Sequence, residues 1–265
     1  VSSAASDVYK RQTLAAAGDI VTLTLTASET IGTPTVTFFS GGAAINDGTI
    51  DYANTGGNTW TAKYTANSSD TDGSVTFSIA FSDSSGNAGT AVTAVTDGSS
   101  VTFDDSVPTL TSVGIASNNS TATLAKEGDV VTLTLTASET IGTPTVTFQS
   151  GGAAITNNVA YNNTGGNTWT AVYTTHDSDT DGSVTFSIAF SDSTGNAGVA
   201  VTAVTDGSSV TYDDTVPTLT SVGIASNNST TTLAKEGDIV TLSFTASETI
   251  GTPTVTFQSG GAAIT

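Results

Sequence analysis

The sequence predicts an all-β chain made of tandem copies of one module, and three observations predict it. The stretch at 128–148, GDVVTLTLTASETIGTPTVTF, recurs nearly unchanged at 18–38 and at 237–257. Within it Val131, Leu133, Leu135 and Ala137 alternate with Thr132, Thr134 and Thr136, and period two with threonine on one face is the pattern of a half-buried strand. Gly, Pro, Asn and Asp punctuate such runs throughout, which places turns between strands and leaves no helix.

The repeat sets the domains. Glu29 matches Glu139 at a shift of 110 (139 − 29), and Glu139 matches Glu248 at 109 (248 − 139). Trp60 matches Trp169 at 109 (169 − 60), so one residue is lost between 45 and 52. A unit of about a hundred residues is the size of an independent domain and longer than a solenoid repeat. Residues 1–12, VSSAASDVYKRQ, share only Ser2 with the equivalent run at 111–122 and hold the only arginine, Arg11. They read as a non-native, adapter-like segment outside the fold. The expected domains are then 13–106, lacking its first strand; 107–215, complete; and 216–265, ending after its third strand.

In the complete unit each element has its own signal. At 110–116, Val113 and Ile115 are in phase and give a first strand; 117–128 is a polar loop. The alternation at 129–138 is the second strand, and Gly142 and Pro144 break the turn at 139–144. Val146 and Phe148 restart the period in a third strand at 145–149, followed by a Gly151-Gly152 turn and a short piece at 153–155. The run 157–167 reads as loop, with Gly165-Gly166 as a hairpin signal. Trp169, Ala171 and Tyr173 share one face of a strand at 168–174. After an acidic loop at 175–182, Val184, Phe186, Ile188 and Phe190 point inward from a strand at 183–191. A turn at 192–198 leads to a last strand at 199–212, interrupted at Asp206-Gly207. About seven regularly spaced strands and no helices are the pattern of an immunoglobulin-like β-sandwich. The fold class is therefore tandem immunoglobulin-like sandwiches. Without cysteine, each is stabilised by apolar contacts, among which Phe148, Trp169, Tyr173, Phe186 and Phe190 contribute on the order of 2–3 kcal/mol apiece. The third copy, ending after its third strand, has open edges and is expected to be less ordered or to borrow contacts.

Charge bounds the partners. Five Lys and Arg against 24 Asp and Glu give a formal net charge of −19. Nucleic acid and anionic membrane are poor partners for such a surface, whereas divalent cations suit it; acidity also simply favours solubility. No apolar run approaches the length of a membrane helix, and a chain with no Met reads as a fragment of a longer one.

The segments VPTLTSVGIASNN, GDVVTLTLTASET, NTWTAVY, GSVTFSIAFSDSTGNAG and VTAVTDGSSVTYDDTVP together resemble the bacterial Ig-like domains of very large surface proteins, among them adhesins of biofilm-forming and RTX-type bacteria. The resemblance covers nearly all of 13–265. It implies an extracellular stalk at the bacterial cell surface, in which neighbouring repeats of one chain are each other's partners and carry a ligand-binding tip.

Catalysis has no candidate centre. The single histidine, His176, is replaced by Ala66 in the first copy, and no GxSxG elbow is present. Calcium is the sharper expectation. Asp177, Asp179, Asp181 and Gly182 spell D-x-D-x-D-G; the first copy keeps Asp70, Asp72 and Gly73. Alternating hard oxygen donors on a tight loop suit Ca2+. In such a sandwich the loops at 117–128 and 175–182 lie at the end from which the last strand leaves. The turns at 139–144 and 192–198 lie at the end where the first strand enters. A tandem array thus gathers Asp70, Asp72, Asp104, Asp105, Glu139, Asp192 and Asn196 at the first junction. At the second it gathers Glu127, Asp177, Asp179, Asp181, Asp213, Asp214 and Glu248. Such carboxylates repel unless a cation sits among them, an arrangement similar to cadherin junctions and calcium-stiffened adhesins. Asp and Asn also favour turns for local reasons. The expected function is a structural spacer, with Ca2+ as the candidate cofactor. The alternatives are a carbohydrate- or protein-binding module and a self-assembling fibre or surface-layer subunit.

Overall fold

The computed structural model describes residues 13–46 and 48–263. The chain forms two compact units, one ending at Tyr212 and the other running from Asp213. The first unit holds two sandwiches.

The first sandwich comprises β1 (Leu14–Ala15), β2 (Ile20–Thr26), β3 (Thr35–Ser40), β4 (Ala43–Ala44), β5 (Asp51–Gly56), β6 (Thr59–Thr65), β7 (Gly73–Ala80) and β8 (Thr102–Phe103). One sheet has the order β1-β8-β7-β3-β4 and the facing sheet β2-β6-β5. The second sandwich comprises β9 (Leu110–Ser117), β10 (Leu124–Ala125), β11 (Val130–Ala137), β12 (Thr145–Ser150), β13 (Ala153–Ala154), β14 (Ala160–Gly165), β15 (Thr168–Thr174), β16 (Gly182–Ala189) and β17 (Thr211–Tyr212). Its sheets are β10-β17-β16-β12-β13 and β14-β15-β11-β9. The short parallel pair β10–β17 carries the chain across the sandwich edge. Two facing, mainly antiparallel sheets with this strand order are the immunoglobulin-like sandwich.

Alternation explains the core. Val131, Leu133 and Leu135 from β11 meet Val146, Phe148 and Ile188 from the facing sheet, all buried. The Phe148 and Tyr173 rings lie 4.8 Å apart, tilted, and Phe38 and Tyr64 repeat that contact in the first sandwich. Trp169 is only partly buried, at the core margin. A polar tie joins the two sheets. The Tyr161 hydroxyl on β14 accepts from the Val146 amide at 2.9 Å and donates to its carbonyl at 3.3 Å. Tyr52 and Val36 do the same.

Three expectations are corrected. The run 157–167 is not loop throughout, because β14 lies within it and pairs with β15. The loop 117–128 holds β10. The last strand shrinks to β17. Most of 199–210 runs outside the ladder, with one bridge from Val201 to Ile188 and hydroxyl bonds from Thr205 and Ser208 to the backbone of β9.

In the unit from Asp213, β18 (Leu219–Ser226) pairs with β19 (Val240–Ala246), and β20 (Gln258–Ser259) with β21 (Ala262–Ala263). The expected third strand does not form across 254–257, since no described residue pairs with it there. Its Val255 and Phe257 are exposed, whereas Val146 and Phe148 are buried.

Candidate interdomain acidic site

The link between the two sandwiches begins where β8 ends. The Asp104 amide extends the parallel ladder by donating to the Ala15 carbonyl at 3.0 Å. Asp72, from the loop before β7, then holds the next two residues. Its carboxylate accepts from the Asp105 amide at 2.9 Å and from the Ser106 hydroxyl at 2.7 Å. Pro108 is fully buried, and the Thr109 amide donates to the Ser138 hydroxyl at 3.0 Å, seating the start of β9 beside the end of β11.

The second sandwich grips the same link from the other side. Asp192 is 6 % exposed and organises the turn after β16. One of its oxygens accepts from the amides of Thr194, Gly195 and Asn196 at 2.7–2.9 Å, and the other from the Asn196 side chain at 2.8 Å. Asn196 also donates to the Asp104 carbonyl at 2.9 Å, and the Thr194 hydroxyl to the Asp104 carboxylate at 3.4 Å. A bridge between Ile141 and Asp192, with the Gly142 amide on the Ser191 carbonyl, ties the turn carrying Glu139 to this loop.

Asp104, Glu139 and Asp192 thereby bring carboxylate oxygens within 4.8 Å of one another. Burial raises the Glu139 pKa above the usual carboxylate value, and the charges of Asp104, Asp192 and Asp72 raise it further. Calcium takes oxygen ligands at about 2.3–2.6 Å, so ligands on opposite sides of one ion stand roughly 5 Å apart. Oxygens within 4.8 Å of one another meet that spacing.

The other expected residues fall elsewhere. Asp70 is buried and spends both oxygens in its own domain, on the amides of Asn46 (2.7 Å) and Asn67 (2.9 Å). Asp105 receives the Ala17 amide at 3.4 Å. Asn196 turns its amide nitrogen, not its oxygen, toward Asp104 and Asp192. Of the second expected set, Glu127, Asp177, Asp179 and Asp181 belong to the unit ending at Tyr212; Asp213, Asp214 and Glu248 belong to the next. Glu127 is exposed, Asp177 pairs with the His176 ring, and Asp179 accepts from the His176 amide. Asp213 accepts from the Thr215 amide at 3.1 Å. Ser106 and Thr194 fasten the link although sequence reasoning passed over them. The hydroxyl at Thr215, the equivalent of Ser106 one repeat on, was the available signal.

The loop around Asp192 is not specific to the junction. Asp83, its equivalent, accepts from the amides of Ser85 and Asn87 and from the Asn87 side chain at 2.8–2.9 Å. Those bonds, led by the Asn87 side chain, hold the Asp83 pKa below the usual value. Asp192 is thus a turn-former first, and its second oxygen, with one partner, is the one with room for a further ligand.

No family model matches the chain. No curated protein matches it either. Among solved structures, a three-Ig titin fragment in an E-to-A mutated variant overlaps 96% of this chain and 78% of its own, at 10% identity and TM-score 0.41. An I-band titin fragment overlaps 94% and 82%, at 9% identity and TM-score 0.40. A titin Ig tandem overlaps 78% and 96%, at 15% identity and TM-score 0.24. These overlaps are too loose to bear on function, and the fold assignment rests on strand order.

Proposed function

We propose that the chain is a structural spacer of a large bacterial extracellular or cell-surface protein, an adhesin stalk whose first interdomain junction is stiffened by Ca2+. The observation that carries it is the convergence of Asp104 from the link with Glu139 and Asp192 from the second sandwich. Carboxylates crowded in this way repel one another, and a divalent cation among them relieves that repulsion, as protonation of Glu139 does. The resemblance of the repeated segments to bacterial Ig-like domains supports the surface assignment. The turns at the near end of the second sandwich are taken up by the link, which speaks against their serving as a glycan- or protein-binding face. No reaction is assigned: the contact of the Ser178 hydroxyl with the His176 ring at 3.1 Å lies on an exposed loop, and the first copy has Ala66 in place of that histidine.

The residues that would hold the ion are Asp104, Glu139 and Asp192, with Asp72 close enough to add charge. If Ca2+ is present at ten times its dissociation constant, one site adds about 1.4 kcal/mol. Thermal melts in chelator and in millimolar calcium test the reading. A higher midpoint with calcium, lost in Glu139→Gln, is expected. Identical melts in wild type would overturn it.

A further inference from the structure

The connection 202–209 of the second sandwich crosses from one sheet to the other and back. Both of its ends are fixed to β16. At one end the Ile188 amide donates to the Val201 carbonyl at 2.9 Å and the Val201 amide to the Ile188 carbonyl at 3.1 Å. At the other the Val184 amide donates to the Val210 carbonyl at 2.9 Å. Between these anchors the segment reaches β9, the edge strand of the facing sheet. The Val113 amide donates to Thr205 Oγ1 at 2.9 Å, and the Thr205 amide donates to the Val113 carbonyl at 2.8 Å. The Ile115 amide donates to Ser208 Oγ at 2.8 Å. Val204 packs against the core, whereas Thr205, Asp206 and Gly207 are exposed.

Ser208 is itself held in place. Its hydroxyl donates to the Asp206 carboxylate, and its amide donates to Asp206 Oδ1 at 2.9 Å; together these bonds hold the Asp206 pKa below the usual value. With its proton spent on Asp206, the hydroxyl turns a lone pair toward the Ile115 amide. Gly114 completes the seat. A Cβ at that position would stand 2.4 Å from an Asp206 carboxylate oxygen, so β9 is bare where the acid lies against it. Successive residues of a strand turn their amides to opposite sides. Gly114 and Ala116 face β11, opposite Thr134 and Thr132. Val113 and Ile115 face away from it and are held by the connection. The Ser117 amide, on that same outer side, donates to the Ala122 carbonyl at 2.9 Å. The outward amides from Val113 to Ser117 are thus all spent within the module, and an edge so occupied has no donor there for a neighbouring chain.

We infer that 202–209 is a strap that opens and shuts as a unit on the side of the second sandwich, with the Ser208 hydroxyl as its latch and Asp206 as the residue that positions the latch. The strap pivots at Val201 and Val210, whose bonds to β16 stay formed. Opening breaks only the contacts of an exposed segment with β9, and the ladder between β9 and β11 is left whole. Such an opening belongs to the low end of the range of local free energies in a folded domain. Shut, the strap withholds the outer edge of β9 from other copies of a module that repeats almost unchanged along the chain.

Hydrogen exchange resolved to single amides by NMR in the full chain tests the inference. Relative to their intrinsic rates, Val113 and Ile115 are expected to exchange together and about tenfold or more faster than Gly114 and Ala116, which wait for the ladder to open. Ser208→Ala should speed Val113 and Ile115 alike by about tenfold, the scale of one lost hydrogen bond, and leave Gly114 and Ala116 unchanged. Asp206→Ala should do the same although Asp206 receives no amide of β9, because the hydroxyl loses its orientation. Ser208→Thr keeps the hydroxyl and should keep the wild-type rates. A single protection factor for all these amides in wild type would overturn the strap as a separate unit. So would a Ser208→Ala effect confined to Ile115 or shared equally by Gly114 and Ala116. Wild-type exchange at Ile115 in Asp206→Ala would overturn the positioning role.

Discussion

Glu139 stands among Asp104, Asp192 and Asp72 and is partly desolvated, and both effects favour its neutral form. Its folded pKa lies above the unfolded value, so the folded junction holds more protons than the unfolded chain in the window between the two. The contribution of this group to stability is therefore full below the ordinary carboxylate range. It is lost as pH rises through the raised value. Glu139→Gln removes the penalty. In chelator at neutral pH it should raise the unfolding free energy relative to wild type by about 1 kcal/mol, the scale of one like-charge contact across a solvated interface, and should flatten the acid side of the stability profile. Tyr161 offers a second test at this scale. Tyr161→Phe leaves the Val146 amide and carbonyl without their partner between the sheets. Chemical denaturation should show a loss of about 1–3 kcal/mol, with no change in calcium response.

Elements place these residues through close backbone contacts. The turn between β3 and β4 lies against the loop before β7. A Cβ on Gly41, whose φ is +54°, would stand 2.4 Å from the Asp72 carbonyl oxygen. Gly41→Ala should therefore cost about 1–3 kcal/mol in thermal denaturation and displace the loop whose Asp72 side chain holds Asp105 and Ser106. Strands with strict alternation, such as β11, β12, β15 and β16, were legible in the sequence because one face of each is buried. The strand β14 was not, since AYNNTG points only Tyr161 toward the core and the rest is exposed. The run 199–210 misled in the opposite direction: it alternates, yet most of it lies outside the ladder, and its own Thr205 and Ser208 hydroxyls bind the backbone of β9. In the site, Asp104, Glu139 and Asp192 could be anticipated from loop topology. Asp70 could not be told from Asp72 by spacing alone, because what separates them is which way a two-residue step turns the carboxylate, into its own loop or toward the link.

At the scale of the molecule, near-identical sequences occupy unequal settings. Strand β11 is covered by β9, β15 and the facing sheet, whereas the equivalent β19 pairs with β18 alone. Hydrogen exchange should accordingly be faster by orders of magnitude along β19 than along β11; equal protection would mean that β19 gains cover in solution. The spacer reading requires that two sandwiches, each adding about 35–40 Å of reach, keep a fixed angle when calcium is present. The absence of cysteine makes the measurement direct. Spin labels at Thr76→Cys and Thr185→Cys, equivalent exposed positions on β7 and β16, report the distance across the first junction by pulsed electron resonance. A distance distribution that is narrow in millimolar calcium, broadens on chelation and no longer responds in Glu139→Gln is the predicted result. A distribution of the same width with calcium and with chelator would contradict the claim that calcium sets this junction.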